Sequence, residues 1–280
     1  MPDEITPFTL FRKKYFHAGA CTDPGRVRRD NQDSYLCCGN GGLFLVSDGM
    51  GGGEGGDRAS RIVVQTLGKA ALTPLKNLSG IVDLAYQANQ EILNFASEHH
   101  LRGMGATLVG IILAPFQPTQ GMLFFAGDSP CFRLRDHLLT RLTTDHTVAS
   151  AMGIPEEQLA KHLQGVLTNA AGCGANFFLE TQPLEIHSQD QYLLCSDGIS
   201  RQLSEPEIKT ILTGGTSAEE KARALVDAAL NHGGPDNATA VVLTFDSLPE
   251  ITPDVRLEEE ECPDFPKIKK EEEDVTPPTA

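Results

Sequence analysis

The chain has 280 residues, of which 38 are acidic and 23 basic, and its formal net charge is −15. Nucleic-acid-binding proteins need clustered lysine and arginine side chains to offset phosphate charge, so this balance argues against that class. Residues 247–280 hold 11 acidic and 4 basic side chains, net −7, which leaves −8 on the rest of the chain. The length suits one domain of roughly 200–250 residues with a sizeable core.

Five short apolar segments predict buried strands. They lie at 43–46, 107–113, 122–126, 192–195 and 240–245. Between the first two of them, apolar residues recur at helical spacing over 59–71 and 82–96, which predicts two consecutive helices. A segment led by proline, 155–163, predicts a short helix. Capping boxes of serine and glutamate at 204–207 and 217–220 predict the starts of two more helices.

The order of these elements indicates an α+β fold. The segments 107–113 and 122–126 follow each other as hairpin strands do, and the first two helices are consecutive. A parallel α/β fold would alternate strand and helix instead. We therefore expect antiparallel sheets with helices packed outside them, in one domain over 17–246. We expect residues 1–16 to be an N-terminal extension and 247–280 to be an acidic, proline-rich, disordered tail.

The cysteines and the hydropathy pattern bear on the compartment. There are seven cysteines and none forms a C-x-x-C pair, which indicates reduced thiols in a cytoplasmic protein rather than a disulfide framework. No apolar segment reaches the roughly 18 residues that a membrane-spanning helix needs, so we expect no membrane partner.

Aspartates recur next to the predicted strands. Asp48, Asp128 and Asp197 each follow an apolar segment, Asp236 precedes one, and Asp33 is a fifth candidate. Each of them could simply be a turn residue, because aspartate and glycine favour turns. Alternatively, the strand ends gather these carboxylates in one place. Such a cluster would need bound cations to stay ionised, and Mg²⁺ or Mn²⁺ prefers oxygen ligands of this kind.

The other residues narrow the chemistry of such a site. The eight histidines include no H-E-x-x-H pair, which argues against zinc, and no EF-hand loop is present. Arg28 lies close to Asp33 in the chain, and arginine binds phosphate with two parallel hydrogen bonds. Several aspartates with divalent cations and one arginine suit hydrolysis of a phosphate ester.

Eight short motifs occur in one order along residues 17–245. They lie at 28–34, 46–52, 105–108, 126–129, 144–146, 167–170, 194–198 and 233–239. Together they resemble the metal-dependent protein serine/threonine phosphatases of the type 2C family in their bacterial form. The resemblance implies a β-sandwich between two layers of helices, with a binuclear Mn²⁺ or Mg²⁺ centre at one end.

The resemblance also implies roles for individual residues. Asp48 would bridge the two metal ions, and the Gly49 carbonyl would join one of them. Asp197 and Asp236 would hold the other ion, while Asp33 would act mainly through a metal-bound water. A third, weaker ion would lie between Asp128 and Asp197, and Arg28 would bind the substrate phosphate.

The chain departs from the family pattern at four positions. Gln32 stands where many members have glutamate, Met50 where animal members have histidine, Pro130 where arginine is usual, and Asn169 where arginine is usual. His146 follows a threonine and an aspartate, so we expect it in a loop or a cap rather than as a general acid.

The function implied by the resemblance is hydrolysis of phosphoserine and phosphothreonine in proteins by a metal-activated water, in opposition to a protein kinase. We expect a cytoplasmic monomer whose partners are phosphoproteins, including those of a cognate kinase. One alternative keeps the activity but gives it a dedicated regulatory substrate. Another is a catalytically weak pseudophosphatase that only binds phosphoproteins; it would require lost metal ligands, and Asp48, Asp197 and Asp236 are all present.

Overall fold

The structure is a computed structural model, and it describes residues 9–13, 15–39, 41–51, 54–72, 80–114, 117, 119–174 and 176–248. The strands of this part are β1 (Thr9–Lys13), β2 (Phe16–Asp23), β3 (Asp33–Cys38), β4 (Leu43–Met50), β5 (Gly105–Ala106), β6 (Leu108–Leu113), β7 (Gln120–Ala126), β8 (Cys131–Arg135), β9 (Leu138–Arg141), β10 (Glu180–Glu185), β11 (Gln191–Cys195) and β12 (Ala238–Phe245). Its α-helices are α1 (Glu54–Leu72), α2 (Gly80–Glu98), α3 (Val148–Met152), α4 (Asp197–Ser200), α5 (Glu205–Thr213) and α6 (Ala218–Asn231).

The strands form two sheets. The first sheet has the order β1-β2-β12-β11-β8-β9, and the second has the order β10-β7-β6-β4-β3 with β5 paired to β4. The strand pairs in both sheets are antiparallel. The α+β fold with antiparallel sheets and outer helices is thereby confirmed.

Apolar side chains fill three layers. Between the sheets, Phe16 and Phe44 are fully buried and meet edge to face, with ring centroids 5.7 Å apart. Helices α1 and α2 cover the outer face of the second sheet, where Leu45 and Leu67 belong to one buried cluster. Helices α5 and α6 cover the first sheet in the same way, and Leu225 and Val242 belong to one buried cluster there. The result is an α-β-β-α sandwich, which places the loops of both sheets at the same two ends.

Most of the predicted elements are confirmed. The five apolar segments form β4, β6, β7, β11 and β12, and the two helical patterns form α1 and α2. Both predicted capping boxes are present: Ser204 and Glu207 start α5, and Ser217 and Glu220 start α6. Each box satisfies backbone N–H groups that a helix start would otherwise leave unpaired.

The prediction of a single short helix over 155–163 is wrong. The segment forms two separate 3₁₀ turns, Glu156–Gln158 and Lys161–Leu163, joined by extended backbone. Leu159 is the residue of this segment that is buried, at 7% exposure. A helix over nine residues with only Leu159 buried would gain little from packing, and such short helices are marginal in water.

The ends of the domain differ from the expected limits in one respect. Thr9–Lys13, placed by the sequence in an N-terminal extension, pair with β2 as an edge strand. Phe16, at the end of the same extension, is fully buried. The expected disordered tail lies outside the described residues except for Ser247 and Leu248.

Two further expectations concern thiols and membranes. The six cysteines in the described ranges are free; five are buried and Cys173 is exposed. Among the helices described, none combines the length and apolar character needed to cross a bilayer.

Candidate metal centre

The five predicted aspartates come from both sheets and lie at one end of the sandwich. Asp33 opens β3 and Asp48 lies near the end of β4, and the two are paired in register. Asp128 follows β7, Asp197 follows β11 as the first residue of α4, and Asp236 precedes β12. The charge of each of the other four acts on the Asp48 carboxylate. The structure therefore brings all five together, as the clustering hypothesis predicts.

The backbone of Asp48 is held on both sides by one threonine. Its N–H donates to the Thr107 hydroxyl at 3.0 Å, and its carbonyl accepts from the Thr107 N–H at 2.9 Å. The neighbouring Ser47 hydroxyl donates to the Thr107 carbonyl at 2.6 Å. These three bonds fix the end of β4, so the Asp48 side chain is positioned by backbone that cannot shift freely.

Gly49 is required by a close approach of two backbone segments. A Cβ atom at this position would lie 2.0 Å from the Gly56 carbonyl oxygen and 2.7 Å from that of Gln32. Any other residue would push α1 or the loop before β3 away from β4. The glycine thus brings the start of α1 against the carboxylate cluster, with its own carbonyl oxygen beside Gly56.

The Asp33 carboxylate is tied to the opposite sheet. Its Oδ2 atom accepts hydrogen bonds from the Ser196 and Thr239 hydroxyls, each at 2.7 Å. The Thr22 hydroxyl is hydrogen-bonded to the Thr239 hydroxyl at 2.7 Å and accepts a hydrogen bond from the Asn31 side-chain amide at 2.8 Å. The chain of hydrogen bonds therefore continues away from the site. Asp33 is 7% exposed, and its other oxygen, Oδ1, is buried without a hydrogen-bond partner in the described structure.

The carboxylates are hard to ionise in the absence of cations. Burial raises the pKa of Asp33 to about 7, and the charges of Asp197 and Asp236 add to this rise. Burial, followed by the charge of Asp33, raises the pKa of Asp48 well above its ordinary value. Burial and then the charge of Asp128 raise the pKa of Asp197 to about 6. Bound cations would reverse this effect, because they favour the charged form of each carboxylate.

Arg28 lies at the edge of this cluster. Its guanidinium donates to the Asp236 carboxylate at 2.8 Å, and its side chain is 55% exposed. The hydrogen bond and charge of Asp236, with the charges of Asp48 and Asp197, raise the pKa of Arg28 further. The arginine predicted to bind phosphate therefore lies beside the cluster, where solvent can reach it.

Arg201 is a residue at this site that the sequence did not bring to attention. Its Nη2 atom donates to Asp128 at 3.1 Å, and its Nε atom donates to Asp197 at 2.9 Å. The available signal was its position four residues after Asp197, which places the two side chains on one helical face. The general roles of Ser196, Thr239 and Thr107 were missed as well, because hydroxyl residues in strands and turns are common.

The residues fit divalent cations with oxygen ligands. Five carboxylates converge, and the bare buried oxygen of Asp33 is the kind of atom that a cation would satisfy. Within the described ranges no three acidic, histidine or cysteine side chains already enclose a cation-sized space. Two of the carboxylates are instead paired with arginines, Asp236 with Arg28 and Asp197 with Arg201.

The departures from the family pattern also have structural consequences. Asn169 donates to the His146 Nδ1 atom at 3.0 Å and exchanges two hydrogen bonds with the backbone of Phe178. His146 lies in a loop, as predicted, and its Nε2 atom is 3.1 Å from the Glu180 carboxylate. Gln32 donates through its side-chain amide to the Gly51 carbonyl at 3.4 Å. Asn169 therefore connects His146 with the backbone of Phe178.

A cleft of about 370 Å³ opens beside the cluster. Asp128, Asp197 and Arg201 line it, together with Thr147 and Ser150.

Comparisons with known proteins agree with this geometry. The sequence model of the family described as "Protein phosphatase 2C" matches residues 26–232. The chain is 33% identical over 251 residues to the serine/threonine phosphatase stp of Listeria monocytogenes, an alignment that covers 82% of this chain and 96% of that protein. It is 34% identical over 230 residues to the serine/threonine protein phosphatase PstP of Mycobacterium tuberculosis, covering 80% of this chain and 44% of that longer protein.

Solved structures show the same fold. The catalytic domain of the serine/threonine protein phosphatase PstP, crystallised in complex with two manganese ions, superposes with a TM-score of 0.73 at 31% identity. That match covers 85% of this chain and all of the other. PppA of Pseudomonas aeruginosa superposes with a TM-score of 0.75 at 29% identity, covering 83% and 98% of the two chains. The chain therefore belongs to the protein phosphatase 2C family, the metal-dependent serine/threonine phosphatases, and is an enzyme of that family.

Proposed function

We propose that this chain hydrolyses phosphoserine and phosphothreonine esters of proteins at the cluster formed by Asp33, Asp48, Asp128, Asp197 and Asp236. The observation that carries the proposal is the convergence of these carboxylates from both sheets, with one buried oxygen of Asp33 left without a partner. A structural cluster of this kind would be unfavourable unless cations bind to it.

The ions are proposed to be two Mn²⁺ or Mg²⁺. Asp48 would contact both of them, the Gly49 carbonyl would join one, and Asp197 with Asp236 would hold the other. When bound, the pair would supply an acidified water as nucleophile and draw electron density from the phosphoryl group. Asp33 is proposed to support the site from the buried side, because Ser196 and Thr239 hold one of its oxygens and leave the other without a protein partner in the described structure.

Arg28 is proposed to bind the phosphate of the substrate. Its guanidinium is exposed, always charged, and held at the rim of the cluster by Asp236. When Asp236 turns to a cation, the hydrogen-bond donors of Arg28 become available to an incoming phosphate. An arginine fork binds two phosphate oxygens at once, which would align the ester for attack.

Three wider proposals follow from the same activity. A phosphatase of serine and threonine opposes a kinase, so we propose a cognate protein kinase and its substrates as partners. We also propose that the chain acts as a monomer in the cytoplasm. The binding-only alternative has no observation in its favour, since the carboxylates on which metal binding depends are in place.

The test uses Asp48→Asn, which keeps the shape of the side chain and removes its charge. The measurement is hydrolysis of a chromogenic phosphate ester and of phosphoserine and phosphothreonine peptides, with Mn²⁺ and then with excess chelator. We expect metal-dependent turnover in the wild type and a fall in kcat of about a hundredfold or more in the variant, since several kcal/mol of transition-state stabilisation are lost.

The matched control is Asp83→Asn on α2, an exposed aspartate far from the cluster, which should retain normal turnover. Circular dichroism shows whether each variant keeps its fold. Metal-independent turnover by the wild type, or near-normal turnover by Asp48→Asn, would refute the proposed site.

A further inference from the structure

Arg201 links two of the cluster's carboxylates. Its Nη2 atom is 3.1 Å from Asp128 Oδ2 and its Nε atom is 2.9 Å from Asp197 Oδ2. The two carboxylate side chains are only 10% and 18% exposed, whereas the Arg201 side chain is 47% exposed. The positively charged guanidinium of Arg201 therefore already lies between the two aspartate carboxylates.

The local backbone places the guanidinium there. Arg201 is the residue that ends α4, and its N–H donates to the Asp197 carbonyl at 2.8 Å. Residues four apart on a helix share a face, so the Arg201 side chain lies along the helix toward Asp197. On its other side, Glu156 adds a favourable charge, and the guanidinium passes 3.8 Å from the position of a Cβ atom on Gly165.

The resemblance to the family implies a third, weaker cation between Asp128 and Asp197. A metal ion between these two carboxylates would need the space that the guanidinium fills, and the two positive charges would repel each other, whereas the other oxygen of Asp197 stays available for the two-ion site. Arginine stays protonated throughout the accessible pH range, so its charge does not depend on the ion concentration. It is also tethered to the site, and a bound ion would have to displace it from both carboxylates.

We propose that the Arg201 guanidinium takes the place of the third cation, so that this enzyme binds two divalent ions rather than three. Arg201 is then a positioning residue that holds Asp128 and Asp197 in a fixed arrangement. The inference rests on the proposed two-ion site, and it adds that the Asp128 carboxylate pairs with Arg201 instead of binding a metal ion.

The test counts bound ions directly. Mn²⁺ bound per chain is measured by equilibrium dialysis with elemental analysis, and by titration calorimetry, at saturating Mn²⁺. We expect two ions for the wild type, three for Arg201→Gln, and two again for Arg201→Gln combined with Asp128→Asn. Asp128→Asn alone should leave the count at two.

The matched control is Arg61→Gln, which breaks another arginine–aspartate pair with four-residue spacing, on α1 with Asp57, and should leave two ions. Arg201→Lys keeps a charge at the site and should also bind two. Three ions in the wild type, or two in a folded Arg201→Gln, would overturn the proposal.

Two further results are possible: a variant that does not fold, and a wild type that binds no Mn²⁺. If Arg201→Gln does not fold by circular dichroism, the wild type, Asp128→Asn and Arg201→Lys decide the matter. Two ions in each of the three support the inference, and a third ion in any of them overturns it. A wild type that binds no Mn²⁺ at all would instead refute the two-ion site on which the inference depends.

Discussion

The two oxygens of the Asp33 carboxylate have different surroundings. Oδ2 receives hydrogen bonds from Ser196 and Thr239, whereas Oδ1 is buried and unpartnered in the described structure. The donors cannot rotate away freely, since Thr239 lies in a central strand and Ser196 precedes α4. One oxygen is therefore fixed by protein, and the orientation of the other is determined by that bond.

This asymmetry predicts the effect of Thr239→Val, which keeps the shape of the side chain and removes its hydroxyl. The variant loses the hydrogen bond to the buried Asp33 carboxylate and the contact with the Thr22 hydroxyl, which should lower the free energy of unfolding by about 1–3 kcal/mol. It should also weaken Mn²⁺ binding about tenfold or more, as loss of a group supporting a metal ligand does. Urea denaturation and Mn²⁺ titration calorimetry measure the two effects.

The control for this prediction is Thr181→Val, on the exposed face of edge strand β10. It makes the same chemical change without a carboxylate partner, so both quantities should stay near the wild-type values. Equal losses in the two variants would show that the hydroxyl of Thr239 has no special connection to Asp33.

At the scale of elements, helix α6 lies unusually close to the first sheet. A Cβ atom at Gly19 in β2 would be 2.3 Å from the Glu219 backbone nitrogen at the start of α6. Alanine, leucine and valine residues of α6 then fill the layer above β2 and β12. The contact requires a glycine in the strand, because even one methyl group would occupy the same space as the helix backbone.

Gly19→Ala should therefore destabilise the protein by about 1–3 kcal/mol, the usual cost of overpacking a core. The measurement is chemical denaturation monitored by circular dichroism, because the chain contains no tryptophan whose fluorescence could be used. Gly215→Ala is the matched control, because no atom lies within 4 Å of its added methyl group. If both variants have the stability of the wild type, α6 can move away from β2 at little cost.

The elements that the sequence predicted were those with continuous apolar character, such as β6 and β11. The others lack this signal for physical reasons. Strand β2 carries small residues where α6 approaches, and β10 is an edge strand that exposes five of its six residues. Helices α3 and α4 have five and four residues, which is too short for a period to be visible.

The candidate site was predictable to a similar degree. The five aspartates could be found because they recur next to strands and because their motifs resemble a family. Arg201, Ser196 and Thr239 could not be assigned roles, since their partners are known only once the sheets are placed. Their roles follow from hydrogen bonds to residues that are far away in the chain.

At the scale of the whole molecule, the cluster places mutually repelling carboxylates at one end of the sandwich. Asp33 and Asp48 come from the second sheet, whereas Asp197 begins α4 after β11 of the first sheet and Asp236 precedes β12 of that sheet. Burial and mutual repulsion raise the pKa values of the carboxylates that lie deepest. Cations bound between the sheets would neutralise this repulsion and join the two halves.

Mn²⁺ should therefore raise the melting temperature of the full chain. At a concentration a hundred times the dissociation constant, ligand binding contributes about 2.7 kcal/mol, which corresponds to roughly 5–10 °C for a domain of this size. Differential scanning calorimetry with Mn²⁺ and with chelator measures the shift, and Asp48→Asn should show much less of it. An identical melting temperature in both buffers would mean that the cluster does not bind cations.

Strand β12 has a consequence for how the enzyme is made. It is the last strand of the described residues and lies between β2 and β11, and it carries Thr239 three residues after Asp236. A ribosome therefore exposes a chain with an incomplete centre until residues up to Phe245 have emerged. Prematurely terminated products and fragments clipped before Asp236 lack both a carboxylate of the cluster and a central strand. Errors of synthesis thus yield inert protein rather than an uncontrolled hydrolase.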